Sequence, residues 1–193
     1  MKFVHNCFIL MIGAVFMLNL SGCSSNLKYE KYISKNPAID FTVDRISGWE
    51  AQEQIGSFNS FIQLCFYEPV IKGKGLRAMM VITVEESSKI AITPKTLDGL
   101  KADIIKKRML FNSAKVLTTA DKKFFGSNAI SIDLSYKTIA DPVRTAKLVP
   151  YKEKIIIFER NREFYIVRYA NLADDFDNYS KAFDHIVKSI KFK

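Results

Sequence analysis

The stretch EKIIIFERNREFYIVRYA, residues 153–170, most narrows what this chain can become. Two runs rich in β-branched and aromatic residues flank a short polar turn, RNR, which is the pattern of a β-hairpin. Upstream, Ile130, Ile132, Leu134 and Tyr136 alternate with Ser131, Asp133 and Ser135, as the two faces of a strand require. Before them, FFGSN places Gly126 at a corner between two strands in the segment AKVLTTADKKFFGSNAISIDLSYK. Strands this close in sequence join by hairpins, because parallel neighbours need a crossover of a dozen or more residues.

The first half adds strands of the same kind. IDFTVDRISGWEAQE reads as a short strand and a turn into Gly48-Trp49, and FNSFIQLCFYEP as a strand stopped by Pro69. IKGKG supplies a reversal, and LRAMMVITVEE follows as a strand whose run Ala78–Val84 is almost wholly apolar. Such a run suits a strand covered on both faces. TPKTLDGLKADIIKKRML is a helix, with Pro94 near its start, Thr93 or Thr96 as its cap and Leu97, Leu100, Ile104 and Ile105 towards the core. DDFDNYSKAFDHIVKSIKF is a second helix, with Phe176, Tyr179, Phe183, Ile186, Val187 and Ile190 on one face and Asp174 or Asp175 as its cap. Strands, helix, strands, helix without βαβ units spell α+β: a central, mainly antiparallel sheet with helices on both faces.

The 193 residues suffice for one domain with a sizeable core, and 48% hydrophobic against 25% charged is a globular composition. The N-terminus is different. Lys2 precedes an apolar run, Phe8 to Leu18, followed by NLSGCSS. This is the layout of an export signal; a membrane span needs about 20 apolar residues, and the run breaks at Asn19.

Leu20-Ser21-Gly22-Cys23 resembles the lipobox of bacterial lipoproteins. The resemblance implies cleavage before Cys23 and a diacylglycerol on its sulfur. The expected organisation is therefore a signal peptide over 1–22, lipidated Cys23 with a polar tether to Asn36, and one domain over 37–193. Ser24 follows the cysteine, and by the rule of that family this favours the outer membrane of a diderm cell, facing the periplasm. In a monoderm cell the place is the outer face of the plasma membrane. Removing residues 1–22 takes away one lysine and no acid, so the formal charge of +9 falls by one. For an exported protein the anions within reach are lipid headgroups, wall polymers and acidic proteins rather than nucleic acid. Lys72, Lys74 and Arg77 are the candidate contacts.

The domain resembles the PsbP-like family, which includes bacterial lipoproteins of the DcrB type. The residues that carry this are Gly48-Trp49, FFGSNAISIDLSY with Gly126, IIIFERNREFYIVRYA and the closing helix ending IVKSIKF, in that order. The resemblance implies an antiparallel sheet between helical layers, an α/β/α sandwich. It implies no reaction, and the photosystem II role of the best-known member does not transfer with a fold.

Candidate chemistry is sparse. His185 is the one histidine after Cys23, and it lies within the last helix, where a surface position is expected. Cys65, inside FIQLCFY, reads as a buried apolar residue; a reactive thiol would need a neighbouring cation or base. Asp174, Asp175 and Asp177 group three carboxylates without the glycine turn and further oxygens of a calcium loop. Gly73-Lys74-Gly75 joins two strands and does not open a helix, so it reads as a turn and not a phosphate loop. No cofactor or metal is expected. Trp49 is either packing at the sheet edge or an anchor for a protein partner. Three functions follow: a non-enzymatic accessory or assembly module with an envelope protein partner, a binder of anionic envelope ligands, or a hydrolytic enzyme built on Cys65 or the Asp174–Asp177 group.

Overall fold

The structure is a computed structural model that describes residues 27–56, 61–71, 76–86, 96–141 and 145–193. Its strands are β1 (Tyr29–Ile33), β2 (Phe41–Ile46), β3 (Glu50–Ile55), β4 (Phe61–Tyr67), β5 (Met79–Glu86), β6 (Asn112–Phe124), β7 (Ser127–Asp141), β8 (Thr145–Arg160), β9 (Glu163–Leu172) and β10 (Lys191–Phe192). Helix α1 (Leu97–Arg108) follows β5, and α2 (Phe176–Ser189) follows β9 after one 3-10 turn, Ala173–Asp175. Seven strands form one sheet in the order β3-β4-β5-β9-β8-β7-β6, and β1-β2-β10 form a second. Every pairing is antiparallel.

Two tight turns set the register of the large sheet. Arg160 pairs with Glu163, leaving Asn161 and Arg162 as the β8–β9 loop, with φ of 52° and 63°. Phe124 pairs with Ser127, leaving Phe125 and Gly126, with φ of 52° and 78°. Positive φ at both central residues marks the type I′ turn, whose twist matches that of the strands it joins. The reading of residues 153–170 as a hairpin and of Gly126 as a corner holds.

The sheet is covered on both faces, as alternation demands. One face presents Leu64, Phe66, Met80, Ile82, Ile156, Phe158, Tyr165 and Tyr169 to α2 and the small sheet, where Phe183, Ile186 and Val187 meet Phe41, Val43 and Ile46. The other presents Ile130, Ile132, Leu134, Ile155, Ile157 and Phe164 to Leu97, Leu100, Ile104 and Ile105 of α1. Thr96 caps α1, its hydroxyl accepting from Gly99 N at 3.0 Å. Thr93 and Pro94 lie outside the described residues.

The start of α2 differs from the sequence expectation. Asp175 occupies the cap position, but its side chain makes no capping hydrogen bond. Instead β9 grips the backbone there: Tyr169 OH donates to Phe176 O at 2.6 Å and Asn171 Nδ2 to Asp175 O at 3.0 Å.

The segment read as a polar tether to Asn36 is also corrected. Its residues 29–33 are β1, paired with β2 from Tyr29↔Ile46 to Ile33↔Thr42. YEKYI lacks strict alternation, so strand character was hidden; two tyrosines carry it. The Tyr29 ring stacks on His185 at 4.0 Å, and Tyr32 OH donates to Glu53 Oε1 at 2.7 Å. The ordered domain therefore begins ahead of residue 37.

Candidate functional site

Strand alternation places Glu153 and Arg168 on the α1 face of the sheet, beside the end of that helix. Glu153 is fully buried. Arg108, the last residue of α1, donates from Nε to Oε2 at 2.6 Å and from Nη2 to Oε1 at 3.1 Å. Arg168 donates from Nε to Oε1 at 2.6 Å, and Tyr136 OH lies 3.5 Å from Oε2. Burial alone would push the Glu153 carboxyl up, but the adjacent Arg168 and Arg108 guanidiniums outweigh it and hold the group below its ordinary value. Burial and the same carboxylate push the Tyr136 phenol far up, so it keeps its proton.

Next to this cluster the structure contains a cavity of about 250 Å³ between α1 and the strands. Arg108, Arg168 and Lys107 line it together with Gln63 and Thr83, whose side chains are joined by a 3.1 Å hydrogen bond. Phe61, Ile104, Ile155 and Ile166 supply its apolar wall, and Glu85 lines it as well. Sequence reasoning passed over this group. The signal was a charge, Arg168, in the middle of the apolar run FYIVRYA; an arginine drawn partly into a core calls for a carboxylate partner.

The residues singled out from sequence lie elsewhere. Trp49 and Arg77 lie towards the opposite end of β4 and β5, each tied to neighbours of its own. Trp49 is 5% exposed and packs edge-on to Tyr179 of α2 at 5.1 Å. Tyr179 OH donates to Glu68 Oε1 at 2.8 Å, while Ala78 N donates to Glu68 Oε2 at 3.1 Å. Arg77 donates to Glu50 Oε2 at 2.8 Å and to Glu68 O at 3.3 Å, with its guanidinium 4.5 Å from the Tyr67 ring centroid. Trp49 is thus a core ring that offers a partner almost no surface, which corrects its reading as an interface anchor. Arg77 is bound within the chain, which weakens its reading as a ligand contact. Lys72, Lys74, the Gly73–Gly75 turn, residues 1–22 and Cys23 lie outside the described residues.

Cys65 is buried, and burial pushes its thiol up. His185 Nε2 lies 2.9 Å from Asp44 Oδ2 on the surface of α2. Asp174, Asp175 and Asp177 sit at the start of α2, and no group of three metal-ligating side chains occurs among the described residues. No helix among the described residues is long and apolar enough to cross a membrane.

Known structures share this arrangement of sheet and helices. The solution structure of the cyanobacterial PsbP protein CyanoP, from Synechocystis sp. PCC 6803, superposes with a TM-score of 0.57 at 12% identity, covering 91% of this chain and 99% of that one. The fold is PsbP-like. A Pseudomonas aeruginosa protein of unknown function, PA94, shares it with a TM-score of 0.53 at 12% identity over 86% of this chain and 97% of its own. So does the Ran-binding protein Mog1p of Saccharomyces cerevisiae, with 0.54 at 8% identity over 86% and 96%. No protein-family model and no curated protein sequence matches the chain. Identities this low carry the PsbP-like architecture and nothing of any one neighbour's activity.

Proposed function

We propose that this chain is a cell-envelope lipoprotein, anchored by diacylglycerol on Cys23, whose PsbP-like domain is a non-enzymatic accessory or assembly module. The observation that carries the reading is LSGC placed directly behind the apolar run Phe8–Leu18. Each buried methylene of a lipid adds about 0.8 kcal/mol, one chain holds only marginally, and the two chains of a diacylglycerol make the attachment durable. The membrane is the outer one, facing the periplasm, in a diderm cell.

Two further facts support a binding role for the domain. Mog1p, of the same fold, is a Ran-binding protein. Of the groups that sequence offered for catalysis, Cys65 is buried with its thiol pushed up, and Asp174, Asp175 and Asp177 sit at the start of α2; His185 lies 2.9 Å from Asp44.

Mass spectrometry of the protein purified from its native membrane tests the anchor. The expected N-terminus is residue 23 carrying diacylglycerol, and Cys23→Ser should move the protein out of the membrane fraction. A native chain that retains residues 1–22 would overturn the reading. The module role is tested by deleting the gene product and restoring it as Cys65→Ala and His185→Ala together: full complementation is expected, and failure of a stably folded double variant would favour an enzyme.

A further inference from the structure

Two guanidiniums around one buried carboxylate leave charge and hydrogen-bonding capacity to spare. Arg168 spends only Nε on Glu153, and its two terminal amino groups bond nothing among the described residues. Arg108 spends Nε and one terminal amino group, which leaves the other. Both side chains are partly exposed, 18% for Arg108 and 23% for Arg168, and the space they line is the 250 Å³ cavity. Glu153 stands behind them as a support and does not line it. With Lys107 on the same wall, the three cations exceed the two carboxylates nearby, Glu85 and Glu153, by one charge.

We propose that this cavity binds a small organic anion. Its carboxylate or phosphate group is held by the free amino groups of Arg168 and Arg108, and its short apolar body lies against Phe61, Ile104 and Ile166. A guanidinium fork matches a planar carboxylate or a phosphate edge with two parallel donors. Glu153 fixes both arginines before the ligand arrives, so little side-chain freedom remains to be lost on binding. Gln63 and Thr83 add uncharged polar groups between the charged and apolar walls. The volume falls below the roughly 300–1,000 Å³ of drug-sized ligand pockets, which sets the ligand as small. The site belongs to the folded domain, so it stands or falls independently of the anchor on Cys23.

Isothermal titration of the full chain in detergent, with hexanoate, glycerol phosphate and inorganic phosphate at low and high salt, tests the proposal. Saturable binding that weakens with salt is expected. Hexanoate as the tightest ligand marks a small carboxylate; glycerol phosphate as the tightest marks a lipid headgroup. Lys107→Glu, at an exposed position, and Ile104→Trp, which fills the apolar wall, should each weaken binding about tenfold or more, equivalent to about 1.4 kcal/mol. Melting curves without ligand check that the variants fold, and the exposed Lys107 position keeps the test valid should Ile104→Trp not fold. The absence of saturable binding for all three anions at low salt overturns the proposal. So does undiminished binding in Lys107→Glu or in folded Ile104→Trp, because the ions would then be held elsewhere on a basic surface.

Discussion

Arg168 reaches Glu153 diagonally across the β8–β9 ladder: Arg168 faces Ile155, Glu153 faces Ala170, and Nε still lies 2.6 Å from Oε1. The diagonal neighbour on one sheet face is within reach of a long side chain. Because Glu153 is fully buried there, the charge pattern of this face is fixed by the strand register itself.

The first prediction concerns acid. Glu153 is held below its usual 4.5 in the folded chain, so the unfolded chain binds that proton first as pH falls. Its contribution to stability is complete above the unfolded value and is lost as pH drops through the folded one. As pH falls below the usual value of 4.5, wild-type Tm should drop more steeply than the Tm of Glu153→Gln. Equal slopes in thermal melts would remove Glu153 as the cause.

The second separates charge pairing from packing. Arg168→Met leaves a buried carboxylate with one guanidinium, and breaking such a cluster typically costs about 3–5 kcal/mol. Replacing Arg108, Glu153 and Arg168 together by Met, Leu and Met should recover much of that loss, since an apolar replacement removes the desolvation penalty as well. Urea unfolding of the single and triple variants decides it. A triple variant weaker than the single one would contradict the argument.

The third concerns the core under α2. Phe183 is fully buried and stacks near Tyr169, with ring centroids 5.9 Å apart. Phe183→Ala and Trp49→Ala should each cost about 3–5 kcal/mol. Truncation before Asp174 removes α2 and β10 together and should leave a chain that does not melt cooperatively. Calorimetry of the truncated protein checks this; a normal endotherm would show that the sheet stands without its cover.

The fourth is chemical. Cys65 is 2% exposed and its thiol is pushed up by burial, and the thiolate is the reactive species. Iodoacetamide at neutral pH should leave the native protein unmodified and label Cys65 promptly in urea. Rapid labelling of the native form would reveal an accessible thiol.

The fifth uses the β8–β9 turn. Arg162 holds φ of 63°, a left-handed conformation that costs an L-residue roughly 1–2 kcal/mol and glycine almost none. Arg162→Gly should stabilise by about 1 kcal/mol, somewhat less than that strain because glycine is freer in the unfolded chain. A Tm at or below wild type would mean that the turn has other support.

Sequence legibility followed periodicity. Residues 130–136, the residues 153–170 hairpin and the apolar face from Phe176 to Ile190 were all visible, because each is a local rule repeated, whereas the α1 cap was left between Thr93 and Thr96. β1 was not, since YEKYI has neither period, and its tyrosines matter only once His185 and Glu53 are brought beside them. The Arg108–Glu153–Arg168 group was hidden for a related reason. Arg108 and Arg168 lie 45 and 15 residues from Glu153, and only the docking of the end of α1 on the β8–β9 ladder unites the three. Trp49 showed the converse: a conspicuous residue type whose place, under Tyr179, is set by the arrival of α2.

The pairing of Tyr29 with Ile46 changes the reach of the molecule. A free segment to Asn36 would let the domain rise about 45 Å from a lipid on Cys23, at 3.3–3.6 Å per residue. The fold claims the chain earlier still: Leu27 packs on the core and Lys28 O accepts from Ser47 N at 2.9 Å. The proposed anchor at Cys23 lies four residues ahead of Leu27, a span of at most about 14 Å, less than the roughly 30 Å thickness of the hydrocarbon layer itself. On the proposed anchor at Cys23, a partner of this domain would have to come down to the membrane surface.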